Sequence, residues 1–132
     1  MLSKADGGAL RRRVFELQAQ LCAALADATR LEILYLLHDG ERTVSDLASA
    51  LGQRQNNVSQ HLAYLRRVGA VAGERRGTYV YYRVAMPGLV EACMAVREAL
   101  VRRLAAQADE AAALSHALAG AHAAELAAKA GE

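Results

Sequence analysis

The chain is poor in several features that other fold classes would need. Two cysteines in 132 residues cannot build a disulfide framework. No apolar run approaches the roughly 18 residues required to cross a bilayer. The first residues lack a charged segment followed by an apolar stretch and a small-residue cleavage site. No secretory signal is expected, and a reducing cytoplasm is the expected setting. β-Branched residues are scarce outside residues 71–84, which argues for a mainly helical chain. Enzyme chemistry has little to stand on. There is no glycine-rich phosphate loop and no Ser or Cys in an activation motif, and the acid pair Asp109 and Glu110 sits on what reads as a solvated helix.

A strong overall charge is also absent, since the net charge is only +2. Its distribution is uneven. Between Gln53 and Arg83 stand Arg54, Arg66, Arg67, Arg75, Arg76 and Arg83 against the single acid Glu74. That segment carries +5, and the rest of the chain −3. Such a local excess is the footprint of a phosphate-facing surface. The length suits one domain with its own core. Hydrophobic residues make up 54% of the chain, but much of this is alanine, which buries little area.

Residues 43–84 organise the rest. Thr43 opens a short helix that Gly52 ends, and Asp46 stands where a capping box places an acid. A second helix is expected from about Gln55 to Arg67, ended by Gly69. Val44, Leu47 and Leu51 on the first, and Val58, Leu62 and Leu65 on the second, recur at spacings of three and four and face a core. Two helices joined by a short Gly-containing turn form a helix-turn-helix unit. Residues 71–75 and 79–84 alternate as strands around Arg76, Gly77 and Thr78, which makes a basic hairpin, or wing.

The outward face of the second helix carries Gln55, Asn56, Asn57, Ser59, Gln60 and His61, with amides and a hydroxyl but no carboxylate. Asn and Gln can bond adenine edges in pairs, Arg can do so with guanine, and Ser is versatile. The first turns of a recognition helix need such groups. A solvated amphipathic helix would also carry amides. The arginines at its two ends, Arg54 and Arg66, and the wing residues Arg75 and Arg76 favour DNA. The expected DNA-binding set is therefore Arg54, Gln55, Asn56, Asn57, Ser59, Gln60, His61, Arg66, Arg75 and Arg76.

Around this unit the chain is helical. Residues 1–8 read as a frayed start. Between residues 9 and 26, Leu10, Val14, Leu17, Leu21 and Leu25 line one face, which packs either on the domain's own core or across a subunit interface. Asp27 is placed to cap the next helix, whose apolar run Leu31, Ile33, Leu34, Tyr35, Leu36 and Leu37 makes it central. After Pro87 and Gly88, a long helix carries Leu89, Cys93, Val96, Leu100 and Leu104 on one stripe, a second candidate interface. From Ala105 to Ala130, 14 of 26 residues are alanine. Helix is expected to about Gly120, followed by a helix or a frayed tail.

Four stretches together resemble the ArsR/SmtB family of winged helix-turn-helix repressors. They are Leu25-Ala26-Asp27-Ala28-Thr29-Arg30-Leu31-Glu32-Ile33-Leu34, Val44-Ser45-Asp46-Leu47-Ala48, Asn57-Val58-Ser59-Gln60-His61-Leu62-Ala63-Tyr64-Leu65-Arg66 and Gly77-Thr78-Tyr79-Val80-Tyr81-Tyr82-Arg83. The resemblance covers roughly residues 14–104. It implies a homodimer built on the first and last helices, binding an inverted-repeat operator in double-stranded DNA and released by an inducer. The expected architecture is thus mainly α with a small β-hairpin wing. Its expected parts are a dimerising winged domain over residues 9–104 and an alanine-rich helical extension over 105–132. A constitutive or partner-controlled regulator, or a helical protein-docking module, is the alternative.

The departures from the family concern sensing. Thr43, Val44 and Ser45 stand where many members carry a Cys-x-Cys pair. Met86 and Gly88, then Ala99 and Arg102, replace the Asp, His and Glu ligands of a second family metal site. Arg54 stands where Ser is common, which removes a helix cap and adds a charge. Cys22 and Cys93 remain. They read either as small buried hydrophobes or as a thiol sensor of oxidant, reactive sulfur or a soft metal or metalloid. No metal site is expected from His116, His122 and Glu125, because His116 falls on a different side of the helix.

Overall fold

The computed structural model describes residues 4–131, leaving aside the side chains of residues 4, 5 and 122. Elements follow in the order α1 Lys4–Leu25, α2 Ala28–His38, β1 Arg42–Thr43, α3 Val44–Leu51, α4 Gln55–Arg67, β2 Val71–Arg76, β3 Tyr79–Val84 and α5 Leu89–Ala130. Two compact units result, residues 1–90 and 91–132.

In the first unit, α2, α3 and α4 close around a core of Ile33, Leu34, Leu37, Leu47, Val58, Leu62 and Leu65, joined by Ala70, Val71, Leu89 and Val90. Helix boundaries follow local chemistry. The Asp27 side chain accepts from the Arg30 backbone N–H at 3.0 Å and starts α2. Thr43 and Asp46 form a reciprocal capping box at the start of α3, with bonds of 3.1 and 3.3 Å. Gly52 ends α3 at φ 63°, a left-handed geometry that suits glycine.

The sheet has three antiparallel strands in the order β1-β3-β2 rather than the two expected. Arg42 and Thr43 pair with Tyr82 and Tyr81. A two-residue strand has no alternation to betray it, so only the paired partner reveals it. On the other side of β3, Gly73 lies opposite Tyr82, and a Cβ there would meet the Val80 side chain at 3.0 Å and the Tyr82 ring at 3.1 Å. Tyr82 and Val84 turn toward the core, while Tyr79 and Arg83 are exposed.

The first helix starts at Lys4, so residues 4–8 are helical rather than frayed, and residues 1–3 lie outside the described residues. Its apolar stripe divides. Leu21, Ala24 and Leu25 dock on the core, but Leu10, Val14, Phe15 and Leu17 stand open to solvent. The second unit belongs to α5, which is continuous over 42 residues and passes through Gly120 without a break. The flanking alanines outweigh the ~1 kcal/mol that glycine costs a helix interior. Val96, Leu100, Val101, Leu104, Leu114, Leu118 and Leu126 are all exposed along it. Among the described residues, no helix is long and apolar enough to cross a membrane.

Candidate nucleic-acid interface

The surface follows from how α4 is set into the first unit. Val58, Leu62 and Leu65 are buried at spacings of four and three, which leaves Gln55, Asn56, Ser59 and Gln60 exposed on the opposite face of its first turns. Arg54 precedes the helix as its N-cap residue, and its guanidinium, which has no acceptor, leaves the first N–H groups uncapped while placing a cation beside them. The positive end of the helix dipole adds to that charge. The first turn of α4 holds no acid. Uncapped donors, a cation and acid-free amides together make a surface suited to phosphate and base edges.

Asn57 is also exposed, but its amide donates to the Gln53 side chain, whose own amide donates to the Thr29 hydroxyl at 3.0 Å. The chain Asn57–Gln53–Thr29 ties the start of α4 to the start of α2. Gln53 was not anticipated as a functional residue, because its partner lies 24 positions away.

His61 departs from expectation. It turns inward, with its side chain only 18% exposed. Its Nδ1 lies 3.3 Å from the Arg30 guanidinium and 3.9 Å from the Asp27 carboxylate. Arg30 also lies over the Tyr64 ring at 4.4 Å. Position 61 falls between the buried stripe and the exposed amides, and the polar groups of α2 draw it in. The hydrogen bond from the Arg30 backbone N–H holds the Asp27 carboxyl below its ordinary range, against desolvation, helped by His61 and Arg30 charge.

The wing gives a second correction. Arg75 at its tip is exposed. Arg76 is instead held by Glu41 at 2.7 Å and Glu74 at 3.0 Å, and lies over the Tyr81 ring at 5.0 Å. Arg76 therefore ties the wing to the loop before β1 and is less available to phosphate than Arg75. Its bond to Glu41 holds that carboxyl below its ordinary range and raises the guanidinium further. Gly77, at φ 64°, supplies the first residue of the two-residue turn. Arg66 is exposed in the last turn of α4, and Arg67 lies 5.1 Å from the Tyr64 ring.

Cys22 is exposed on α1, and Cys93 is half-buried on α5; neither is in a disulfide. His116 and Glu125 are exposed on α5, and the side chain of His122 lies outside the described residues. Among the described residues, no three His, Cys, Asp or Glu side chains gather in a metal-binding group.

The sequence matches the arsR family of bacterial regulatory proteins over residues 27–72. It is 37% identical over 92 residues to an uncharacterised HTH-type transcriptional regulator of Mycobacterium tuberculosis, covering 69% of this chain and 81% of that protein. It is 46% identical over 71 residues to the arsenical resistance operon repressor of Escherichia coli, covering 53% of this chain and 61% of the repressor. Among solved structures, the crystal structure of M. tuberculosis Rv0081 is similar at a TM-score of 0.65 and 36% identity, covering 71% of this chain and 95% of that one. The solution structure of a homodimeric winged helix-turn-helix DNA-binding domain from Mycobacterium bovis gives a TM-score of 0.65 at 33% identity, covering 71% of this chain and 87% of that one.

Proposed function

The chain belongs to the ArsR family of bacterial regulatory proteins, DNA-binding transcriptional regulators, and we propose that it works as a homodimeric repressor of an inverted-repeat operator. The observation that carries the reading is the acid-free face of α4. Gln55, Asn56, Ser59 and Gln60 read base edges in the major groove. Arg54, Arg66 and Arg75 neutralise phosphates on either side. Asn57 takes part while held by Gln53. A dimer supplies two such faces, about 34–36 Å apart on one side of the duplex. The open stripes of α1 and α5 supply the apolar surface for pairing. A groove of about 460 Å³, lined by Val14, Leu17, Leu21, Val68 and Met86 with Gln18, Gln20 and Arg67 among them, supports this, since it offers a partner side chains to pack against. In this division of labour, residues 9–104 dimerise and bind DNA, and residues 105–132 form an appended helix.

The test is fluorescence anisotropy on labelled duplex from the region upstream of its own gene, over a salt series. Affinity should fall steeply with salt, and one duplex should be preferred over random sequence. A salt-independent association, or equal affinity for all duplexes, would sink the reading.

Release by a thiol-directed signal is the second part of the proposal. The exposed Cys22 sulfur is open to oxidant or to a soft metal or metalloid, and Cys93 is the other thiol. A relative named for arsenical resistance supports soft-ion sensing. Replacing both cysteines with serine should abolish release by arsenite, peroxide or sulfide. Unchanged release would remove the thiols from the mechanism.

A further inference from the structure

One side chain of α2 touches both the end of α1 and the side of α4. The Arg30 Nε donates to the Ala24 carbonyl at 2.5 Å, and its Nη2 to the Ala23 carbonyl at 3.4 Å. Both carbonyls belong to the last turn of α1, and that of Ala23 also accepts from the Ala26 backbone N–H at 3.2 Å. Its Nη1 meets the His61 Nδ1 at 3.3 Å, and the guanidinium plane covers the Tyr64 ring at 4.4 Å. His61 and Tyr64 are three apart on α4 and so lie on one face. The Asp27 carboxylate, 3.9 Å from the His61 ring, supplies the opposite charge. A planar fork that donates along several directions and stacks on an aromatic ring is a property of arginine that lysine lacks.

We propose that Arg30 is a positioning residue for operator recognition, setting the angle of the reading helix α4 against α1, and so the spacing of half-sites that the dimer accepts. The proposal rests on the reading of α4 as the recognition helix and of α1 as part of the dimer interface. Charge is not the means. A lysine at position 30 would keep the attraction to phosphate and lose the fork. A merely structural role would lower stability without changing which spacing is preferred.

The experiment uses Arg30→Lys in the full chain. An inverted repeat is selected from random duplex by the wild-type protein, then remade with its spacer shortened or lengthened by one base pair. The expected result is a loss of about tenfold in affinity for the selected repeat, with affinity for random duplex changed less than about twofold. The preference among the three spacings should flatten. An unchanged spacing preference overturns the proposal. So does an equal loss on selected and random duplex, which would make Arg30 a phosphate contact. If Arg30→Lys fails to fold by circular dichroism, Tyr64→Leu decides. It removes the ring beneath the guanidinium and should flatten the same preference to a smaller degree, and no flattening overturns the proposal. Gln60→Ala separates the two readings. It should relax preference at one base position and leave the spacing preference intact. If it leaves base preference untouched, the reading-face assignment fails, whatever Arg30→Lys does.

Discussion

On α4, Leu62 and Leu65 are closed off from water, whereas on α5 Leu100, Leu104, Leu114, Leu118 and Leu126 are each more than half exposed. The residue type is the same and both segments are helical. The difference lies in what faces them. α4 meets α2, α3 and the sheet within its own unit, and its apolar stripe is used up there. The stripe of α5 beyond Val90 has no such closure, and α1 behaves likewise over Leu10, Val14, Phe15 and Leu17. The helices around α4 thus close on themselves, whereas α1 and α5 leave apolar side chains open to solvent.

Substitutions on the two helices test that contrast. The largest effect should come from Leu62→Ala, which removes a buried side chain and leaves a cavity. Denaturant unfolding should show a loss of about 2–5 kcal/mol. A loss below about 1 kcal/mol would mean that α4 is not closed by its own unit. Next, Leu100→Asp should leave the near-native fold of the monomer intact and raise the dimer dissociation constant about tenfold or more in sedimentation equilibrium, since it places a charge in an apolar contact. An unchanged dissociation constant would take that stretch of α5 out of the interface.

Asp27→Ala should cost about 1 kcal/mol at neutral pH through the lost helix cap. The sign with pH follows from the lowered carboxyl of Asp27. Its charge contributes stability above the ordinary carboxylate range, and that contribution is lost as pH falls through the native value. The gap between wild type and variant should therefore narrow in acid, and a gap that widened would contradict the geometry. On the wing, Arg75→Ala should weaken binding to every duplex and reduce the salt slope by about 1. Arg76→Ala should do less to DNA affinity, because Glu41 and Glu74 already hold that guanidinium. Equal effects would place both side chains on phosphate.

Sequence alone reached the parts of the fold that rest on short-range chemistry. The capping box of Thr43 and Asp46, the Asp27 cap and the missing cap at Arg54 each depend on residues within a turn of one another. The buried positions of α3 and α4 follow from helical spacing in the same way. What escaped depends on distant partners. β1 exists only through Tyr81 and Tyr82, about 39 positions on. His61 turns inward because Asp27 and Arg30 wait for it across more than 30 residues. Arg76 is claimed by Glu41 at a separation of 35. His61 and Arg76 are polar side chains that periodicity sorts to open solvent and that a distant partner claims.

The tie between Arg76 and Glu41, together with the pairing of β1 on β3, bears on the thermodynamics of docking. A free two-stranded hairpin is marginal in water and would have to be ordered on the DNA. Here Tyr81 and Tyr82 of β3 are paired on both edges, and Arg76, beside the turn of the wing, is tied to Glu41 by an ion pair before any duplex arrives. The backbone freedom of the wing is already lost in the folded protein, so little conformational entropy remains to oppose its insertion. Calorimetry should then find a binding entropy dominated by released counterions and water rather than by ordering of the chain. Glu41→Ala, which unties Arg76, should shift that entropy in the unfavourable direction.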